Sequence, residues 1–258
     1  MIDLHCHILP GIDDGPRSIE DSLELARAAI ASGIRTVVAT PHVSWHYAND
    51  APTIARLTDE LNDRLRSHEM ELEVLTGGEI AMTYAVELDE KQIAAFGLGN
   101  GSWLLVEPPF TVVASNLDAI LLNLQRAGHR ILLAHPERCP AFHRDPKMLG
   151  ALVGEGMLTS ITAGALVGRF GGPVRRFALS LAREEMIHNV ASDAHDCARR
   201  PPGIAAELEQ AGLGALTGWL TQEVPAAILD GQQIPPRPAI HGAGTRPARQ
   251  SWWRRSVS

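Results

Sequence analysis

Cysteine is scarce in this 258-residue chain: Cys6, Cys139 and Cys197 are odd in number and scattered. That argues against a disulfide framework and for a reducing compartment, and the three thiols read as small buried fillers. No run of roughly 18 uncharged apolar residues occurs, so a transmembrane helix is excluded. Met1-Ile2-Asp3-Leu4-His5 has no basic segment ahead of an apolar one, so no secretory signal is expected and a cytoplasmic location is. Familiar nucleophile signatures are missing too. Six residues after the three cysteines come Ile12, Asp145 and Gly203 rather than arginine, which removes the C-x5-R thiol mechanism, and no Gly-x-Ser-x-Gly elbow is present. Gly97-Leu98-Gly99-Asn100-Gly101 is not followed by Lys-Ser/Thr and reads as a turn rather than a phosphate loop. Acids are absent from residues 235–258, which hold five arginines (Arg237, Arg246, Arg249, Arg254, Arg255). The first 234 residues carry 18 basic against 30 acidic side chains, a poor match to a phosphate backbone, so nucleic acid is not an expected partner of the body.

What is present is the composition of a folded core, 45% hydrophobic and 21% charged, at a length that suits one α/β barrel. Short apolar runs alternate with helix-length amphipathic segments. Strands are expected at residues 2–8, 36–40, 72–76, 103–106, 130–134, 158–162 and 187–191. Between them, Ser18-Ile19-Glu20-Asp21 starts a helix with a capping box and Gly33 ends it. Residues 52–68 form the next helix, and Ser115-Asn116-Leu117-Asp118 opens another that closes at Gly128. Asp145-Pro146 caps a fourth, and a fifth lies near 174–184. Seven β/α units without an internal repeat predict a distorted (β/α)7, TIM-like barrel over residues 1–233. Ile234-Pro235-Pro236-Arg237-Pro238 then begins a basic Pro/Gly/Arg-rich tail, 234–258, that makes neither strand nor helix and ends in Trp252-Trp253-Arg254-Arg255.

Groups able to ligate metal stand at the ends of these strands. His5 and His7 alternate on the first, so their side chains point the same way. Asp13-Asp14-Gly15 follows in the next loop. Thr40-Pro41-His42, Gly77-Gly78-Glu79, Val106-Glu107-Pro108 and Ala134-His135-Pro136-Glu137-Arg138 end later strands, and Ser192-Asp193-Ala194-His195 supplies a second alternate pair. A lone histidine at a strand end is more often a hydrogen-bonded core or loop residue, and His46, His68, His129, His143, His188 and His241 are read as surface or packing histidines. Five histidines and four carboxylates arriving together need a partner, and a multinuclear metal site is the natural one. An all-nitrogen-and-oxygen set favours Mn²⁺, Fe²⁺ or Zn²⁺. Three divalent ions would outweigh the four carboxylates by about two charges, which suits a phosphate dianion.

His5-x-His7, Asp14, His42, Glu79, Glu107, His135 and Asp193-x-His195 resemble the metallophosphoesterases of the polymerase and histidinol phosphatase (PHP) superfamily. Within it, residues 2–16, Gly78-Glu79-Ile80, Thr162-Ala163-Gly164 and Gly168-Arg169-Phe170-Gly171 are similar to the CpsB/CapC family, the manganese-dependent protein-tyrosine phosphatases of bacterial capsule and exopolysaccharide operons. The likeness runs from residue 1 to about 230. Asp14 and Glu107, where histidinol phosphatases carry histidine, favour the tyrosine phosphatases. The resemblance implies a PHP barrel with three Mn²⁺ ions, Fe²⁺ and Zn²⁺ being alternatives. One ion would take His5, His7, Glu79 and Asp193, a second Glu79, Glu107 and His135, a third Asp14, His42 and His195. It further implies Arg138 and Arg200 as phosphate-binding residues, Arg199 being able to stand in for the latter. Hydroxide bridging the metals would attack phosphorus, with His42 or a metal-bound water protonating the leaving group.

The implied function is removal of phosphate from the tyrosine-bearing tail of a bacterial autokinase that controls polysaccharide export. The alternatives are a phosphatase of a small phosphomonoester such as histidinol phosphate, and a degenerate domain that only binds a partner. The last is disfavoured because no ligand position is empty. The basic tail reads either as a solvated extension or as a peripheral contact to membrane or kinase.

Overall fold

The computed structural model describes residues 1–111 and 116–239. The apolar runs become nine parallel strand segments: β1 (Ile2–Cys6), β2 (Thr36–Ala39), β3 (His42–Val43), β4 (Glu73–Thr76), β5 (Glu79–Ala81), β6 (Trp103–Glu107), β7 (Arg130–Ala134), β8 (Leu158–Thr162) and β9 (Asn189–Ala191). They pair as one sheet of order β1-β2-β4 and another of order β3-β5-β6-β7-β8-β9. Five helices of nine residues or more stand among them: α1 (Ile19–Ala31), α2 (Ala51–Ser67), α3 (Leu117–Arg126), α4 (Pro146–Gly154) and α5 (Gly172–Arg183). The fold is mixed α/β with parallel sheets. β1 and β8 are buried at every position, as expected of strands covered on both faces.

Two expected strands form as β2 and β4, and each is followed by a further short strand that was not expected, β3 and β5. Thr40-Pro41 separates β2 from β3, because proline has no N–H to give to a ladder. Gly77-Gly78 separates β4 from β5, and a Cβ at Gly77 would come within 2.8 Å of Val38 Cγ1. The first strand ends at Cys6 rather than residue 8. Beyond it the His7 N–H turns to the Ala194 carbonyl at 2.9 Å, and the Asp193 N–H donates to His5 O at 2.8 Å, so β1 and the chain after β9 run side by side.

The Ser18 capping box forms as expected. At α3 the cap differs: Asn116 adopts a left-handed φ of 63° and gives the helix no side-chain hydrogen bond. Cys6 and Cys139 are buried fillers, whereas Cys197 is exposed, a correction to the expectation for all three. Residues 234–239 form no helix or strand, yet they lie on the body. Trp219 Nε1 donates to Pro235 O at 3.1 Å, and the Arg237 guanidinium lies 5.7 Å from the Trp219 ring. Ser115, His241, the four arginines after Arg237 and the Trp252-Trp253 pair lie outside the described residues. Among the described residues no helix is long and apolar enough to cross a membrane.

Candidate metal centre

All nine predicted ligand positions meet at the C-terminal ends of the strands. Their donor atoms form four overlapping groups, each within 4.8 Å: His7, Asp14, His42 and His195; His5, His7 and Asp193; His5, Glu79 and His135; His42, Glu79 and Glu107. Glu79, at the start of β5, is the hub. Its Oε1 lies 2.8 Å from His135 Nε2 and 3.3 Å from His5 Nε2, while its Oε2 lies 2.9 Å from His42 Nδ1 and 3.3 Å from His7 Nε2. Glu107 at the end of β6 stands 3.6 Å from His135 Nε2. Asp14 Oδ1 stands 3.4 Å from His42 Nε2 and 3.3 Å from His195 Nε2. Glu79 thus takes part in two groups, with His135 and His5 in one and Glu107 and His42 in the other.

Backbone geometry at the strand ends turns these side chains inward. His135 and Asp193 hold positive φ, 30° and 52°, and His135 does so directly before Pro136, where an extended backbone is preferred. Strain of this kind persists where the surroundings over-determine it. Gly15 closes the Asp13-Asp14 loop on His7, and a Cβ there would meet the His7 carbonyl at 2.4 Å.

Six of the nine groups (His5, His7, Glu79, His135, Asp193 and His195) are buried, while Asp14, His42 and Glu107 border the opening. The buried set is poorly satisfied by hydrogen bonds alone. His5 Nε2 and His7 Nε2 face each other at 3.2 Å, and Glu79 Oε2 accepts no hydrogen bond although ring nitrogens stand near it. Burial, and then the charge of Glu79, push Glu107 up to about 8. Burial works against ionised Glu79 as well, but its histidine partners hold it well below the usual carboxylate range. Burial and the positive charge of Arg138 bring His135 down to about 4, the neutral form that a metal requires. A cation with bonds of about 2.1 Å to nitrogen sets neighbouring donors roughly 3.0–3.4 Å apart. The 3.2 to 3.4 Å spacings among His5, His7, Glu79, Asp193, Asp14, His42 and His195 match that edge rather than a direct hydrogen bond. The donors present therefore fit divalent cations, and none is a thiolate, since Cys6 Sγ points to the Ala194 carbonyl.

Both predicted arginines reach the site. Arg138 Nη1 donates to Asp193 Oδ2 at 2.9 Å. Arg200 Nη2 pairs with the same oxygen, its Nη1 lies 2.8 Å from His195 Nε2, and its Nε is buried without a partner. Arg199 is exposed. The turn that separates them is fixed by Asp196 Oδ1, which accepts the Ala198 N–H at 2.7 Å, and by the His195 N–H donating to Arg200 O at 3.0 Å. Both ring nitrogens of His42 face carboxylates, Asp14 and Glu79.

Several supporting residues were not singled out by the sequence. Asp13 accepts from His7 Nδ1 at 2.7 Å and from the backbone of His42 at 3.1 Å and Gly15 at 2.9 Å, so it orients two of the ring donors. Asp3, wholly buried, accepts the Ser192 N–H at 3.0 Å and its hydroxyl at 2.5 Å, bracing the segment that carries Asp193. Thr162 Oγ1 donates to Asp193 Oδ2 at 3.3 Å. An acidic side chain in a run that reads as strand, as at Asp3, was the one signal available. Of the other described histidines, His143 is held by packing and its Nε2 donates to Glu137 O at 2.6 Å, whereas His46 and His68 are exposed.

A family model for capsular polysaccharide synthesis, CpsB/CapC, matches residues 1–211. Tyrosine-protein phosphatase YwqE of Bacillus subtilis (strain 168) is 40% identical over 201 residues, 78% of this chain and 79% of YwqE. Tyrosine-protein phosphatase CpsB of Streptococcus agalactiae serotype V is 30% identical over 217 residues, 80% of this chain and 87% of CpsB. The fold is similar to that in the crystal structures of YwqE from Bacillus subtilis and CpsB from Streptococcus pneumoniae, described as unique metal-dependent tyrosine phosphatases. That match has a TM-score of 0.81 at 35% identity and covers 93% of this chain and 100% of the other.

Proposed function

This chain belongs to the CpsB/CapC family, and from that premise we propose that it is a metal-dependent phosphotyrosine-protein phosphatase acting on a bacterial tyrosine autokinase that regulates capsular or exopolysaccharide synthesis. The observation that carries the reading is the convergence of nine nitrogen and oxygen donors around Glu79, with Arg138 and Arg200 at the edge. In this reading His5, His7, Glu79 and Asp193 hold one cation, Glu79, Glu107 and His135 a second, and Asp14, His42 and His195 a third. Mn²⁺ is the proposed ion, with Fe²⁺ and Zn²⁺ compatible with the same donors. Bound divalent cations supply Lewis acidity and lower the pKa of water.

The chain's own residues do the rest. Arg138 and Arg200, now aimed at one Asp193 oxygen, are placed to take the substrate's phosphoryl oxygens, to which a guanidinium fork is matched. Water oxygen joins phosphorus as the bond to the tyrosyl oxygen breaks, and the phenolate, with a pKa of about 10, needs only modest help to take its proton. His42, placed among the donors of the third cation with its two nitrogens facing Asp14 and Glu79, would have to leave both that cation and Asp14 to give the proton. A water at the open edge meets no such condition.

The two sheets are read as arcs of one distorted (β/α)7 barrel of residues 1–233, the PHP fold, followed by the basic tail. The hydrogen bonds between β1 and the chain after β9 support this. Free Cys6, Cys139 and Cys197 suit the cytoplasm. A phosphatase of a small phosphomonoester such as histidinol phosphate is the competing reading. Purified protein stripped by chelator and refilled with Mn²⁺ is expected to hydrolyse p-nitrophenyl phosphate and a phosphotyrosine peptide, and Asp193→Ala to abolish both. Hydrolysis of small phosphomonoesters without the peptide would overturn the protein-phosphatase reading.

A further inference from the structure

Aromatic residues are only 5% of the chain, yet Tyr47 and Phe110 both lie against histidines of the metal centre. Tyr47 stacks on His42, with ring centroids 5.5 Å apart and planes 10° from parallel. Phe110 stacks on His135 at 5.5 Å and 18°. His42 and His135 are the two rings nearest the two oxygens of Glu79, so these aromatic rings flank the hub from its two sides.

Phe110 is 47% exposed although it lies against a buried histidine. A large apolar ring left open beside a polar site marks a surface made to be covered. Phe110 also meets the Arg138 guanidinium at 4.8 Å, and Phe170 stands 4.7 Å from that guanidinium. A phosphoryl group held by Arg138 therefore has the Phe110 ring beside it.

We infer that Phe110 and Tyr47 form an aromatic slot that selects aryl over alkyl phosphomonoesters, holding the phenyl ring of the leaving group while the phosphoryl group sits in the centre. The inference rests on the phosphatase reading and deepens it. The slot explains how a site built for phosphate alone distinguishes tyrosine from serine esters. A phenyl ring attached to the phosphoryl oxygen fills the space between the two side chains, whereas a single methylene leaves it empty. Offset aromatic contacts and burial of apolar area supply the discrimination.

Titration calorimetry of the manganese-loaded full-length protein with phenylphosphonate and methylphosphonate tests this without relying on turnover. The wild type is expected to bind the phenyl compound about 10-fold or more tightly than the methyl one, a range typical of apolar-pocket discrimination. In Phe110→Ala and Tyr47→Ala the gap narrows to about twofold, while Phe110→Tyr and Tyr47→Phe retain it. A variant that merely disturbs the metals or Arg138 weakens both ligands together and leaves the gap intact. An intact gap in both alanine variants, or no gap in the wild type, overturns the slot. Failure of the parent reading looks different: the phenyl preference persists but no phosphotyrosine peptide is hydrolysed.

Discussion

Strand β9 has a histidine just before it and another four residues after it, and the two have opposite fates. His188 lies at the N-terminal end, where its Nδ1 accepts the Thr159 N–H at 3.2 Å. Burial, with Arg237 adding to it, brings His188 down to about 4, so it is a neutral packing residue. His195 lies at the C-terminal end beside Asp14, Asp193 and His7, a donor among donors. The same residue type beside one strand is a packing residue or a member of the donor cluster according to which end of β9 it adjoins. At the His195 end, Glu79 from the start of β5, Glu107 from the end of β6, and Asp14 and Asp193 from the loops after β1 and β9 come together.

The comparison breaks most sharply at Glu79. Glu79→Gln is expected to lower kcat by at least about 10³-fold and to reduce bound metal, measured together by phosphate release and elemental analysis. Near-normal metal content and rate would mean that the C-terminal end is packing like the other. Arg200→Lys is expected to lower kcat/KM by about 10²-fold, because a point charge replaces a fork, while Arg199→Lys changes it less than twofold. Asp13→Asn leaves every proposed ligand in place but loosens His7 and His42. A 10–100-fold loss of manganese affinity is expected, read by competition with a chelator.

The opposite end answers to pH instead. His188 has a folded pKa near 4 against an ordinary 6.5, so the unfolded chain binds its proton first as pH falls. Its contribution is intact above pH 6.5 and lost between 6.5 and 4, on the order of 2–3 kcal/mol. In chelator-treated protein, His188→Gln is expected to flatten the decline of urea stability across that window. An identical slope in wild type and variant would count against it. Smallest of all, Cys197→Ser is expected to alter stability by less than about 0.5 kcal/mol, since the thiol is exposed.

Much of the site was legible because parallel strands carry their functional groups at one end, so an apolar run followed by His, Asp or Glu is a readable sign. His5-x-His7 and Asp193-x-His195 were legible through the alternation of an extended chain. Other features left no such mark. Asp13 and Asp14 are neighbours of identical type, and only the fold turns one toward His7 and the other toward His42. Arg199 and Arg200 differ in role because Asp196 fixes the turn between them. The aromatic residues carry no mark of their places in hydropathy: Tyr47 stacks on a histidine five residues away and Phe110 on one twenty-five residues away. The stops at Thr40-Pro41 and Gly77-Gly78 were written in residue types that weaken ladders, whereas the two- and three-residue strands β3 and β5 beyond them are too short to leave a hydropathy pattern.

The sequence by itself determined the ligand chemistry, the absence of a thiolate among the donors, the α/β alternation and the end of each strand at which chemistry would appear. These are local properties, set by side-chain type and by the period of two along a strand. Tertiary structure alone decided that Glu79 becomes the hub joining His5, His42 and His135, that Arg138 reaches the Asp193 oxygen that Arg200 also holds, and that Phe110 stacks on His135. Glu79 with its histidines, Arg138 with Asp193 and Phe110 with His135 are tens of positions apart, so strand order and register place them and no local pattern along the chain encodes them.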